Sequence, residues 1–318
     1  MNTSTETKEA TLLHTGLRKK EKAGNLKRAW PLHLMVLPAI LLVIVFSYVP
    51  MAGAVIAFQD YKPWNGFIHS KWVGLEHFRT MFEFPDIRQV IWNTLIIASM
   101  KIICLLIVPI LFSLLLNEVR SIVFKRTVQT MVYLPHFLSW VILSGVLIDV
   151  MSDKGLVNQI IAFFGFQSVF FFGDGNWFRV MLVVSAVWKE FGFSTIIFLA
   201  ALSGINPSLY EAAEVDGANR WKQTLHITLP AIVPIISVVA TLSLGGILNG
   251  DFDQVFNLYN SLVYDKGDIL DTYVYRTGLV GTKYSFGAAV GMFKSVVSLV
   301  LILITYRLAY KFANYRIF

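Results

Sequence analysis

The sequence predicts an all-α membrane protein with six transmembrane helices. Three observations carry this. Of the 318 residues, 56% are hydrophobic, only 15% are charged, and six apolar stretches are each long enough to cross a bilayer. A typical soluble domain has about 25% charged residues, so this chain has too few to cover a globular surface. Disordered chains are polar where this one is apolar. A disulfide scaffold is excluded because the one cysteine is Cys104, which sits in an apolar run and reads as a packing residue.

The stretches run Leu32–Phe58, Ile91–Leu116, Val128–Val150, Trp177–Ala200, Ala231–Asn249 and Phe286–Tyr310, each near the roughly 20 residues that span a bilayer. The first is too long for a signal-peptide core and follows a long polar tail, so it reads as retained. Seven bases lie in residues 1–30, as expected of a cytoplasmic flank that orients the first helix. With the N-terminus inside, segments 1–30, 117–126, 201–230 and 307–318 carry 15 Lys and Arg, against 8 for the outer segments 59–90, 151–176 and 250–285. That bias places both termini in the cytoplasm. The organisation read from sequence is a basic tail (1–30), a first transmembrane helix with its outer loop (31–90), a transmembrane core (91–310) and a short C-terminal tail (311–318).

No catalytic engine is visible. The nearest relative of a phosphate-binding loop, Gly278–Lys283, lacks the Gly-Lys-Ser/Thr end. There is no Gly-x-Ser-x-Gly elbow and no His-Glu-x-x-His helix, and the six histidines are scattered. No nucleic-acid partner, metal or cofactor is expected of this chain. Uphill transport would draw its energy from a partner or an ion gradient.

Residues 201–230, ALSGINPSLYEAAEVDGANRWKQTLHITLP, form the longest cytoplasmic loop. Pro207 opens a helix over Ser208–Val215, Asp216-Gly217 breaks it, and a second short helix is expected from Ala218 to about Thr228, with Pro230 opening the fifth span. This is a helix–turn–helix hairpin at the membrane face. Its small residues Ala212, Ala213, Gly217 and Ala218 would admit another surface closely.

Glu211-Ala212-Ala213, Gly217, Ile227 and Leu229-Pro230 match all seven fixed positions of the pattern E-A-A, three residues, G, nine residues, I-x-L-P. Asp216 and Ala218 agree with its extended form; Thr224 departs from it, an aromatic being frequent there. The runs SYVPMAGAVIAFQDYKP (47–63), KWVGLEHF (71–78), YLPHFLSWVI (133–142), DTYVYRTGL (271–279) and AAVGMFKS (288–295) extend the likeness. From Pro31 onward the chain resembles the membrane subunits of binding-protein-dependent ABC importers, in the polysaccharide-type branch of the maltose-permease-like family.

The resemblance implies a type I importer fold in a bacterial cytoplasmic membrane. It implies a second permease that is a different chain, two ATPase subunits holding ATP and Mg, and an extracytoplasmic binding protein. It also implies an oligosaccharide cargo, with acidic cell-wall sugars such as uronates indicated. In that family the loop's short helix is the coupling helix, with Glu211 facing basic groups on the ATPase and Gly217 making the sharp turn.

Ionisable groups inside the spans are Lys101, Asp149, Arg179, Lys189, Glu190 and Lys294. Asp149 and Arg179 lie near span ends and are expected to snorkel. Lys189 shares a helical face with Ser185, Gly192 and Thr195. The sixth span carries a stripe of Gly287, Gly291, Lys294, Ser298 and Thr305. Two readings stand. One is an interior packing seam in which Glu190 pairs with Lys101 or Lys294. The other is a wet cavity for a polar cargo, where four bases against two acids would suit an anionic oligosaccharide. Trp140, Trp177 and Trp188 suit sugar stacking or helix packing. The segment with Asp251, Asp253, Asn257 and Tyr259 is a solvated loop or a contact for binding protein or cargo. A secondary transporter is the alternative, but its repeats and broken mid-membrane helices are not evident in the sequence. A membrane enzyme is disfavoured by the missing constellations.

Overall fold

The computed structural model describes residues 30–245, 248 and 251–313. The basic tail, the last five residues and the side chain of Thr305 lie outside the described residues. The chain divides into two units between Val55 and Ile56, and residues 59–90 group with the core.

Among the described residues, five continuous helices are long and apolar enough to cross a membrane. They are α1 (Trp30–Phe58), α3 (Pro85–Asn117), α7 (Gly175–Ser203), α9 (Arg220–Leu244) and α12, whose crossing part is Tyr284–Ile304. Helix α2 (Glu76–Glu83) precedes α3, and α6 (Leu156–Phe163) precedes α7. Pro85 starts α3 six residues before the expected boundary, at a first-turn position where its missing N–H costs nothing. Beyond α1, the two-residue strands β1 (Gln59–Asp60) and β2 (Lys71–Trp72) pair antiparallel.

The third apolar stretch is not one helix, contrary to expectation. It forms α4 (Ile122–Phe137) and α5 (Trp140–Val150), bent by 103°. Pro135 lies in a closing 3₁₀ turn, Leu138 and Ser139 are extended, and the Ser139 hydroxyl accepts from the Ile142 N–H at 3.3 Å to cap α5. An interrupted helix pair is therefore present after all. Its signal, a proline four residues before a capping serine, was in the sequence.

The fifth span also differs. The second arm of the 201–230 hairpin does not stop at Thr228 for Pro230 to open a new helix. It runs on without interruption as α9. A proline inside a helix clashes with the carbonyl four residues earlier. That carbonyl belongs to His226, inside a π turn at Thr224–Thr228 that widens the helix there. The same device recurs in α1, where the π turn Ile44–Tyr48 contains Phe46, four residues before Pro50.

The broadest helix interface joins α3 and α7, followed by that of α9 with α12. Two buried apolar clusters lie at the end of the bundle where α3 and α7 begin. One groups Ile97, Phe178 and Leu182 with Val255 and Ile269; the other groups Met81, Ile87 and Val90 with Leu270 and Val290. Residues 251–285 supply both clusters, through α10 (Phe252–Leu258) and α11 (Leu270–Val274). This segment is packed core, so the solvated-loop reading does not hold.

Polar ties hold it there. Lys101 Nζ, buried in α3, donates to Asp251 Oδ2 at 2.9 Å and to the Gln254 side-chain oxygen. The Gln254 amide in turn donates to the Leu182 carbonyl at 2.7 Å and to Ser185 Oγ at 2.8 Å on α7. Arg179 does not snorkel. Its guanidinium bonds Asn93 Oδ1 at 2.5 Å and the Lys266 carbonyl at 2.8 Å. Asp268 is buried and accepts from Arg276 at 2.6 Å and Thr272 at 2.7 Å. Burial pushes its carboxyl above the usual value, with those two bonds pulling the other way.

Two substitutions test this packing. A Cβ on Gly192 would meet the Val132 carbonyl oxygen of α4 at 2.1 Å. Gly192→Leu should therefore lower stability by about 1–3 kcal/mol, read as a fall in the melting temperature of the detergent-solubilised protein. Lys101→Met strands the buried Gln254 oxygen and should cost about 1–3 kcal/mol. A Lys101→Met/Asp251→Asn double variant losing the full sum of the single losses would show that the pair is not coupled.

Candidate functional site

Helix α8 (Ser208–Val215) follows α7 after a short turn. It ends in a Schellman motif: the Ala218 N–H bonds the Ala213 carbonyl at 2.8 Å and the Gly217 N–H bonds that of Glu214 at 3.0 Å. The motif needs a left-handed residue, and Gly217 has φ +73. Asn219 then caps α9 by accepting from the Lys222 N–H at 2.9 Å. Three ties stiffen the hairpin. Tyr210 Oη and Thr228 Oγ1 lie 2.9 Å apart, Gln223 donates to the Ala218 carbonyl at 3.2 Å, and Arg220 pairs with Glu214 at 3.6 Å.

The predicted residues fall into two groups. Glu211, Ala212, Asp216 and Gly217 are exposed on the hairpin, and Ala213 and Ala218 half-buried. Glu211 has no ion-pair partner among the described residues. Ile227 and Leu229 are half-buried on α9, while Pro230 is exposed. The small residues thus present an open surface: among the described residues, apart from its chain neighbours, nothing lies within 4 Å of a Cβ added at Gly217. Beside the hairpin, a groove of about 450 Å³ separates the end of α3 from α9, lined by Leu111, Leu115, Trp221 and Leu225. Trp221 was not anticipated; it is 74% exposed at the start of a span, which is the signal for it.

Of the intramembrane charges, Lys101, Lys189, Glu190 and Lys294 are in ion pairs, but not as expected. Glu190 pairs with neither Lys101 nor Lys294. It bonds His136 Nδ1 at 2.7 Å and Lys189 at 3.2 Å. Lys189 also donates to the His136 carbonyl at 2.6 Å and lies 5.7 Å from the Trp140 ring. His136 stacks on Phe193 at 4.0 Å. This cluster sits at the α4–α5 break, where an unwound turn frees the carbonyl that Lys189 takes. Lys294 pairs with Asp271 at 2.5 Å.

Two carboxylates absent from the span reading, Asp251 and Asp271, therefore neutralise Lys101 and Lys294, and the expected excess of bases disappears. Ser185, Lys189 and Thr195 are buried, so their face is a packing seam. Trp188 stands apart from Lys189, on an apolar cavity of about 290 Å³ with Leu143, Met181 and Val184. Trp177 packs edge-on against Phe171. Of the polar members of the cluster, the side chains of Glu190 and His136 are partly exposed, at 32% and 29%, and that of Lys189 is buried. Among the described residues no group of His, Cys, Asp and Glu could hold a metal ion.

Comparison with known proteins agrees with this architecture. Residues 105–314 match the family described as binding-protein-dependent transport system inner membrane component. The polygalacturonan/rhamnogalacturonan transport system permease protein YteP of Bacillus subtilis (strain 168) is 46% identical over 290 residues, covering 90% of each chain. The arabinooligosaccharides transport system permease protein AraP of the same organism is 30% identical, covering 90% of each. A chain in the crystal structure of a bacterial ABC transporter involved in the import of the acidic polysaccharide alginate is 39% identical. It superposes with a TM-score of 0.84 and covers 91% of this chain and 98% of that one. The match over most of the core, with two relatives of that identity and coverage, makes this chain a member of the family of inner membrane components of binding-protein-dependent ABC importers.

Proposed function

We propose that the chain is the permease subunit through which an ABC importer passes acidic, cell-wall-derived oligosaccharides from an extracytoplasmic binding protein into the cytoplasm. The observation that carries the reading is the stiff, exposed Glu211–Ala218 hairpin, built between the end of α7 and the start of α9 in a chain of this family. A push on such a hairpin moves two membrane helices together, whereas a floppy loop would absorb it. The cargo class is supported by two relatives, a polygalacturonan/rhamnogalacturonan permease and a chain of an importer of the acidic polysaccharide alginate.

In this reading Glu211, Ala212, Ala213, Asp216, Gly217 and Ala218 meet a groove on a partner ATPase, and Ile227, Leu229 and Pro230 shape the root of α9. ATP and Mg are held by the two ATPase subunits and not by this chain. A second, different permease completes the pore, and both termini face the cytoplasm of a bacterial inner membrane. Of the path residues, the Lys189–Glu190 pair with Trp140 at the α4–α5 break is the group placed to meet cargo, through the partly exposed Glu190. Lys294, paired with Asp271, and Trp188, on its apolar cavity, serve packing in the first instance.

The broken α4–α5 pair is the one observation favouring an ion-driven transporter, since such proteins use interrupted helices at their binding sites. Vanadate, which traps ABC ATPases, should abolish uptake in proteoliposomes of the co-purified complex, and an ionophore should leave it intact. The reverse pattern would install the alternative.

The hairpin is tested at Gly217. Asn tolerates the left-handed region and Asp adds a charge at the surface proposed to meet the ATPase. Gly217→Asp should reduce uptake to background while membrane insertion is unchanged, and Gly217→Asn should retain more of it. Full uptake by the Asp variant would sink the coupling role. The cargo is tested by ATP hydrolysis of the complex with binding protein loaded with galacturonate, mannuronate or neutral oligosaccharides. Stimulation by acidic sugars above neutral ones is expected; equal stimulation would remove the acidic preference.

A further inference from the structure

At the end of the bundle opposite the hairpin lies a cavity of about 810 Å³, within the range of small-molecule sites. Three segments far apart in sequence wall it: residues 60–64 after β1, α2 with the first turn of α3, and residues 273–286. They are joined by built contacts. The Tyr61 N–H donates to Ser285 Oγ at 2.9 Å, and His77 Nε2 lies 3.0 Å from the Gln59 carbonyl oxygen. Thr282 on its wall has φ 56, a left-handed conformation that a β-branched residue rarely adopts. Such strain concentrates at functional sites.

The walls carry an unusual mixture. Trp64 is 80% exposed, and among the described residues no aromatic ring stacks on it. Arg276 is preset by its 2.6 Å bond to Asp268 and by the Tyr264 ring, 4.2 Å away. Lys283 and Asp86 line the cavity with no ion-pair partner among the described residues. Hydroxyls of Thr80, Thr277 and Tyr284 lie between these charges. A simple anion would be opposed by Asp60 and Asp86, and a lipid chain would leave the wall's charges and hydroxyls unpaired. A sugar ring needs what is present: a free aromatic face, donors and acceptors together for its hydroxyls, and a cation for a carboxylate.

We propose that this cavity is an entry site for a sugar unit of the incoming acidic oligosaccharide, stacked on Trp64 with its carboxylate toward Lys283 and Arg276. The proposal rests on the cargo reading above. It places a cargo contact outside the membrane-spanning helices, before the Lys189–Glu190 cluster.

The test uses the whole complex in nanodiscs without binding protein, with fluorescently labelled trigalacturonate as probe. Trp64→Ala and Lys283→Ala alter exposed side chains, and unchanged basal ATP hydrolysis certifies their assembly. Each should weaken probe binding by about fivefold. Binding to the parent complex that neither variant changes would overturn the proposal. So would loss of binding-protein docking with probe affinity unchanged, which would make the cavity a protein interface. If the probe does not bind the parent complex, yet binding protein loaded with the same sugar stimulates ATP hydrolysis, the entry site fails and the cargo reading stands. If neither is seen with any acidic sugar, both fail.

Discussion

Charge buried among apolar helices has to be matched, and that requirement organises this protein. A lone ammonium in such surroundings is costly, and removing one partner of a buried pair leaves the cost uncompensated. Lys101 on α3 is matched by Asp251, Lys294 on α12 by Asp271, and Lys189 on α7 by its neighbour Glu190. Two of these carboxylates come from the 251–285 segment. The matching therefore draws that segment into the bundle, where its apolar residues complete both buried clusters.

The same constraint acts on the backbone. A membrane interior offers no water to an unpaired carbonyl. Where α4 gives way to α5, the freed His136 carbonyl is taken by Lys189, and the His136 ring is held by Glu190. One cluster thus closes the electrostatic account of α7 and the hydrogen-bond account of the break. Prolines are handled differently: the π turns before Pro50 and Pro230 let each helix continue where a kink or a stop would otherwise fall.

These facts mark what the sequence makes legible. The Glu211–Ala218 hairpin could be read because its signals are local. Pro207 starts a helix, Gly217 supplies the left-handed turn, and the short spacing leaves one way to close it. Five of the six spans could be read from apolar length. The partners of Lys101, Lys294 and Glu190 could not, because Asp251 and Asp271 are 150 and 23 residues from the lysines they meet. No periodicity encodes a contact of that range. Asp251 and Asp271 also looked like loop acids, since apolar length alone defined the spans. The entry cavity was hidden for the same reason: Trp64, Asp86 and Lys283 converge only in the fold.

The polar ties also divide the bundle mechanically. Helices α3, α7 and α12 and the 251–285 segment are cross-linked by ion pairs and side-chain hydrogen bonds. Among the described residues, α9 has no such tie to them; its polar contacts beyond itself run to the hairpin, through Thr228, Gln223 and Arg220. Its broad interface with α12 is apolar. Apolar surfaces lose little when they slide by a fraction of a turn, because contact is exchanged for contact, whereas an ion pair stretched by the same distance loses most of its bond. A displacement of the hairpin therefore meets its least resistance along α9. A push on the hairpin reaches both helices it joins; α7 is braced by polar ties to α3 and to the 251–285 segment, while α9 is held to α12 without any.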